Sequence, residues 1–452
     1  MSYLIKSLQS VYGDDHAATD IRIEKNRITE VGRHLLPQPY ETIIHAHGCI
    51  AYPGFVNTHH HLAQSVLKGI PAGLNQPLGG WLASVPYQYW PYIEPELMYN
   101  AATLGFYELL RSGTTTCADH HYLYHQNTSA ELEDAVWQAA SDVGIRFTLC
   151  RGGANSLGSH QGLANAGIVP ETIDQTLTRL QSTLGRYHQD NDDAMRKLVV
   201  APTSLIHSAS AEQLMELARF ARHENLRLHS HLLEVDFDQQ QAQRQHGMSA
   251  IDYAEHCGWL GNDVWFAHLV KADAYTIDRL ASTGTGISHC PTSNCRLGSG
   301  IAPVIQMAQA GMRISLGVDG SASSENASML QEVNLSWLLH RATHGANATT
   351  LDQVTGWATI GGAQTLGYEN LGALEVGQLA DVVLYDVSSP RYAGAHCGAH
   401  MPVLMGEPAT VKYSFIDGTP VVDNGNIAAI DATALTRKVS EQLAQLMYRR
   451  GQ

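Results

Sequence analysis

Phe55-Val56-Asn57-Thr58-His59-His60-His61 is a short apolar run that ends in three consecutive histidines. Side chains on a strand alternate between faces, so His59 and His61 share one face and His60 takes the other. A histidine pair of this kind is by itself compatible with ordinary packing. The rest of the chain repeats the pattern, with Leu228-His229-Ser230-His231, Trp265-Phe266-Ala267-His268 and Gly317-Val318-Asp319 closing further apolar runs. Eight such runs stand near Ile50–Asn57, Thr114–His120, Ile145–Arg151, Lys197–Ser204, Leu226–His231, Asp263–His268, Gly284–Cys290 and Met312–Asp319. Segments of helical character separate them. In one, Glu94-Pro95-Glu96 opens the helix, Leu97, Ala101, Leu104 and Leu110 recur at its spacing, and Gly113 stops it. Buried strands alternating with helices predict an α/β fold, a closed (β/α)8 TIM-like barrel.

In such a barrel the working groups stand at the carboxyl ends of the strands, so His59, His61, His231, His268 and Asp319 are expected around one mouth. Three imidazoles and a carboxylate with an open position form a donor set suited to zinc at a hydrolytic site. A binuclear centre would want a bridging group at the end of the fourth strand. That stretch reads Ala201-Pro202-Thr203-Ser204, and Lys197 lies at its other end, so one metal ion is expected.

Outside the barrel the texture changes. Residues 1–52 alternate short apolar runs with Asn, Gly and Asp turns, and a similar pattern returns over 374–452. The two ends are expected to share a small β-sandwich, with a terminal helix, around a catalytic barrel over 53–373. Leu62 to Tyr92 is long for a βα connection and rich in Gly, Pro and aromatics, as functional lids tend to be. The composition narrows the partners. A net charge of -15 over 452 residues argues against nucleic acid. No apolar run reaches the roughly 18 residues of a membrane helix. Seven cysteines, scattered and without a C-x-x-C pair, read as reduced thiols, and a cytoplasmic location is expected. The 24 histidines set the search on metal and proton chemistry.

Pro53 to His61, His231-Leu232-Leu233-Glu234, Ser288 to Asn294 and Gly317 to Glu325 resemble the amidohydrolase superfamily, in its mononuclear cytosine/guanine-deaminase-like branch. Gln64, Lys68 to Leu74, Trp81-Leu82, Leu149 to Ala154 and Pro390-Arg391-Tyr392 are similar to the isoxanthopterin deaminases, pterin-ring relatives of the 8-oxoguanine deaminases. The resemblance implies one Zn2+ per chain, with Fe2+ or Mn2+ as alternatives, on His59, His61, His231 and Asp319. It implies proton work by Glu234, His268 and Asp319 on a small heterocycle: an oxidised pterin such as isoxanthopterin or pterin-6-carboxylate, or else guanine, 8-oxoguanine or an s-triazine. His229 shares a face with His231, but the three-residue offset to Glu234 favours His231 as ligand. His289 is expected to orient Asp319 or its neighbours, and His120 or His121 to face the mouth or pack. Gln64, Trp81, Arg151 and His207 are the expected substrate contacts. Each has a structural alternative, a buried ion pair in the case of Arg151. His207, where relatives carry Tyr, and Leu233 depart from the pattern. A non-catalytic scaffold would have no reason to keep the whole ligand set. Barrels of this kind often pair as homodimers, although no stretch marks an interface.

Overall fold

The computed structural model describes residues 1–157 and 166–451. Its centre is a parallel sheet of eight strands in sequential order. Numbered within the whole chain they are β7 (Phe55–His60), β8 (Thr114–His121), β9 (Arg146–Arg151), β10 (Arg196–Val200), β11 (Arg227–Leu232), β12 (Val264–His268), β13 (Gly286–His289) and β14 (Ile314–Leu316). Helices follow the strands on the outside, among them Pro95–Arg111, Ile173–Tyr187 and Ala211–His223. The second and third open with capping boxes, Thr172 with Gln175 and Ser210 with Gln213, which satisfy otherwise orphaned N–H groups.

The ring closes through an irregular seam between β7 and β14. Asp319 N–H donates to the His59 carbonyl (3.0 Å), and Val318 N–H to Asn57 Oδ1 (3.1 Å). Thr58 Oγ1 donates to the Leu316 carbonyl (2.9 Å) and lies 2.7 and 2.8 Å from the Ser288 and Ser315 hydroxyls. Gly317 permits the approach, because a Cβ there would sit 2.7 Å from His59 Cβ and 2.6 Å from Ser288 Oγ.

The first run of the sequence divides at Gly54. Strand β6 (Cys49–Pro53) belongs to a different sheet, and the barrel strand starts only at Phe55, later than the sequence pattern predicts. A Cβ at Gly54 would fall 2.1 Å from Thr115 Oγ1, so only glycine lets the chain pass from one layer to the other here. The second sheet has the order β18-β17-β16-β15-β6-β2 and mixes the two ends: β2 (Ser10–Val11) and β6 with β15 (Val382–Asp386), β16 (Val411–Ile416), β17 (Thr419–Asp423) and β18 (Asn426–Ile427). A four-stranded sheet, β4 (Arg27–Gly32), β3 (Asp20–Glu24), β1 (Ser2–Lys6) and β5 (Thr42–His45), packs on it through Ile5, Ile21, Val382, Leu384 and Phe415.

Among the contacts that tie this module and the terminal helix (Ala432–Arg450) to the barrel, two stand out. Buried Arg146 at the foot of β9 pairs with Asp381 (2.9 Å) and donates to the Asp193 and Ala194 carbonyls. Arg450 donates to Tyr89 Oη (2.6 Å) within the Leu62–Tyr92 connection, which folds as short helical turns. No described helix is long and apolar enough to cross a membrane.

Candidate active site

The carboxyl ends of the strands bring the expected ligands together. Donor atoms of His59, His231, His268 and Asp319 lie within 4.8 Å of one another, and those of His61, His120 and His231 form an overlapping group. His59 and His61 leave β7 side by side. His60 turns away, its Nδ1 accepting from the His61 N–H (2.8 Å). His231 lies inside β11, His268 is the last residue of β12, and Asp319 follows β14 by three residues.

Hydrogen bonds to groups that can only accept set the ring tautomers. His61 Nδ1 lies 2.8 Å from the His120 carbonyl and His231 Nδ1 2.5 Å from that of Thr203, so each carries its proton on Nδ1 and turns a bare Nε2 inward. Those two Nε2 atoms are only 3.2 Å apart, and Asp319 Oδ1 is 3.3 Å from His59 Nε2 and 3.2 Å from His61 Nε2. Facing lone pairs repel unless a cation stands between them. The donor set therefore fits a divalent metal, and the buried His59 Nε2, which has no hydrogen-bond partner, fits it equally.

The electrostatics agree at His59 and His231, whereas at His61 burial is outweighed by the neighbouring Asp319 carboxylate, which raises the imidazole above its ordinary value. Burial keeps the His59 imidazole neutral, pushed down to about 3, and His231 well below the ordinary histidine range. Burial would raise the Asp319 carboxyl, but the contacts with His59 and His61 hold it well below the usual carboxylate range. Its other oxygen accepts from Ser293 (2.5 Å) and Ser323 (3.0 Å). Glu234, two residues past β11, is pushed up to about 7 by burial. It lies 3.6 Å from His268 Nε2 and accepts from Ser299 (3.2 Å). His268 is held from behind by Asn294 Oδ1 (2.9 Å at Nδ1).

Above the cluster opens a cavity whose floor is His61, His231, Glu234, His268 and Asp319, and whose walls include Trp81, Tyr87, Trp90 and Tyr122. The Leu62–Tyr92 connection supplies three of those four aromatic walls. Gln64, Trp81 and His207, the expected substrate contacts, line the cavity. Gln64 donates to Tyr122 Oη (3.2 Å), Trp81 to the Ala322 carbonyl (3.0 Å), and His207 Nε2 lies 2.9 Å from Asp238 Oδ1. Arg151 is placed differently from the expectation of a substrate contact. It is outside the cavity wall, with Nη2 2.8 and 2.7 Å from the two Glu171 oxygens and its guanidinium over the Tyr124 ring, so a buried ion pair absorbs its charge. The His289 ring Nε2 lies 3.2 Å from His340 Nε2 and its carbonyl accepts from the Gly317 N–H (3.0 Å), two residues before Asp319, which is itself held by the two serines. His120 faces the ligands and bonds the Ala201 carbonyl (3.0 Å), whereas His121 packs edge-on against Tyr124.

Sequence reasoning missed Ser293, Ser323 and Asn294. Ser293 and Asn294 close the Ser288–Asn294 motif, so the signal was present without its meaning. The Thr203 and His120 carbonyls have no signal in side-chain identity.

A (β/α)8 barrel that gathers three imidazoles and a carboxylate beneath an aromatic cavity defines a class, the hydrolases of small molecules that work at a metal site. The chain belongs to the amidohydrolase family, whose model matches residues 50–421. It is 40% identical over 443 residues to an isoxanthopterin deaminase from an unknown prokaryotic organism, covering 95% of this chain and 92% of the relative. It is 37% identical to an 8-oxoguanine deaminase of Pseudomonas aeruginosa, with 93% of each chain covered. Among solved structures, an amidohydrolase from a Sargasso Sea environmental sample superposes with a TM-score of 0.86 at 36% identity, covering 99% of both chains. An atrazine chlorohydrolase of Arthrobacter aurescens complexed with zinc gives 0.90 at 26% identity, covering 97% of this chain and 99% of that one. The protein is a hydrolytic deaminase of this family.

Proposed function

We propose that this enzyme is a zinc-dependent aminohydrolase of oxidised pterins, isoxanthopterin first and pterin-6-carboxylate second. Water adds to the ring carbon that bears the exocyclic amine, the C–N bond breaks, and the products are the oxo heterocycle and ammonia. The observation that carries the reading is the convergence of Glu234, His268 and Asp319 on the ligand cluster, at the floor of a cavity walled by flat aromatic side chains. The pterin assignment is supported by the 40% identical relative.

His59, His61, His231 and Asp319 would hold one Zn2+, with Fe2+ or Mn2+ able to use the same donors. Bound there, the ion lowers the pKa of a water and so supplies a nucleophile near neutral pH. The chain's own groups do the rest. Glu234, protonated near neutrality in its buried setting, donates to the ring nitrogen beside the reacting carbon and makes that carbon a better acceptor. Asp319, ionised and held by Ser293 and Ser323, takes the water's proton and returns it to the leaving amine. His268 is held by Asn294 so that Nε2 points into the site, where it bonds the attacking oxygen. Trp81 and Trp90 offer faces for a planar ring, and Gln64 offers an amide to its edge.

The test is ammonia release by the metal-loaded enzyme from isoxanthopterin, pterin-6-carboxylate, guanine, 8-oxoguanine and melamine-type triazines. Preference for a pterin supports the reading. Activity confined to 8-oxoguanine would replace it with the second reading, for which the 37% identical relative speaks. Glu234→Gln is expected to lose roughly 10²–10⁴-fold in turnover, the span of general acid–base catalysis, with metal content unchanged. Full activity in that variant removes Glu234 from the mechanism.

A further inference from the structure

His229 is absent from the ligand cluster and from the cavity wall, yet it is fully buried between them and the strand behind. Its Nδ1 lies 2.9 Å from the Trp265 carbonyl and its Nε2 2.8 Å from His59 Nδ1. A carbonyl only accepts, so the His229 proton sits on Nδ1 and Nε2 is bare. The contact with His59 is then a hydrogen bond in one sense only, His59 Nδ1–H donating to His229 Nε2. That leaves His59 with its lone pair on Nε2, the atom 3.3 Å from Asp319 Oδ1. The ring is also fixed in rotation, stacked on the Trp265 indole with centroids 4.4 Å apart and planes 13° apart.

We infer that His229 is a positioning residue for the metal centre, a neutral relay from the Trp265 carbonyl that sets the tautomer and orientation of His59. The inference rests on the metal reading of the site. His61 and His231 each use a backbone carbonyl for the same purpose, at His120 and Thr203. At His59 a second imidazole is inserted between ligand and carbonyl. No carboxylate bonds either ring's Nδ1 among the described residues, so the relay adds no negative charge behind the ligand. An ion held by these residues would meet a ligand set whose only formal charge is that of Asp319, which would favour a strong Lewis acid. A core histidine that merely packs on Trp265 would have no need of the second hydrogen bond.

Two measurements decide. In the first, a chelator competes for Zn2+ with the loaded enzyme, and the visible spectrum of the Co2+-substituted enzyme is recorded. His229→Phe keeps the stacking ring and removes the acceptor. It is expected to weaken metal binding about 10–100-fold, the usual cost of losing a partner behind a ligand, and to alter the cobalt bands. His229→Gln, whose Oε1 can accept from His59, is expected to recover most of that loss. Unchanged affinity and an unchanged spectrum in His229→Phe overturn the inference. If the parent enzyme itself binds neither ion, the metal reading fails instead. In the second, ¹⁵N-resolved NMR of the imidazoles in the parent enzyme reads the tautomers without any substitution, which settles the matter should His229→Phe not fold. Protons on Nδ1 of both His59 and His229 are expected, and an Nε2–H tautomer at His229 overturns the relay.

Discussion

Asp319 and His268 both sit in the left-handed region, at φ 59° and 75°, and Leu233, just before Glu234, has φ 55°. Such a backbone costs roughly 1–3 kcal/mol per non-glycine residue and persists where the surroundings over-determine it. Here those surroundings are visible: Asp319 is held by two serines and by the seam, His268 by Asn294. A further buried acid lies behind them. Glu332 is fully buried, accepts from the Thr292 N–H (3.1 Å) and is pushed up to about 8 by burial. A carboxyl that keeps its proton to about 8 when folded, but ionises in the ordinary range when unfolded, favours the fold at low pH. That contribution is lost as pH rises from the ordinary carboxylate range through about 8. Glu332→Gln is therefore expected to raise Tm at pH 8.5 and change it little at pH 4.5. A uniform shift at both pH values in thermal melts would refute the assignment. At this scale the clustered donors were legible because a strand's two-residue period and its terminal position are written in side chains. The groups that aim them were not, since two are backbone carbonyls and others come from elements far away in the chain.

Among elements, all eight barrel strands were legible from their apolar runs, and the error lay at a boundary. Ile50 to Pro53 and Phe55 onward look like one strand, because both parts are buried and neither Pro53 nor Gly54 announces which sheet each half joins. The seam was not legible either, for its bonds use side chains in place of a regular ladder. Thr58 is its central residue. Thr58→Val preserves shape but removes the donor to the buried Leu316 carbonyl and the contact with the Ser288 hydroxyl, while Ser315 keeps its bond to the Ile287 carbonyl, a loss of about 1–3 kcal/mol. Denaturant unfolding should show that loss. An unaltered midpoint would mean that the Thr58 hydroxyl contributes nothing to closing the ring.

Across the whole molecule, the expectation that the two chain ends share a sheet is met by the six-stranded order that places β6 beside β15. The ion pair that joins this module to the barrel could not be anticipated, because Arg146 and Asp381 are 0% and 1% exposed and far apart in sequence. Arg146→Met leaves Asp381 buried and uncompensated, and should cost about 3–5 kcal/mol. Asp381→Asn, which keeps an acceptor for the Asp417 N–H, should cost less. Equal stability of Arg146→Met and the parent would show that the junction does not depend on this ion pair. The seam also bears on how the enzyme is made. His59 and His61 leave the ribosome early, whereas Asp319 arrives only with the last barrel strand, and the backbone bond from Asp319 to His59 is what joins them. A nascent chain holding seven strands has an open ring and an incomplete set of donors. On the metal reading of the site, the full donor set would exist only once translation has passed the eighth strand.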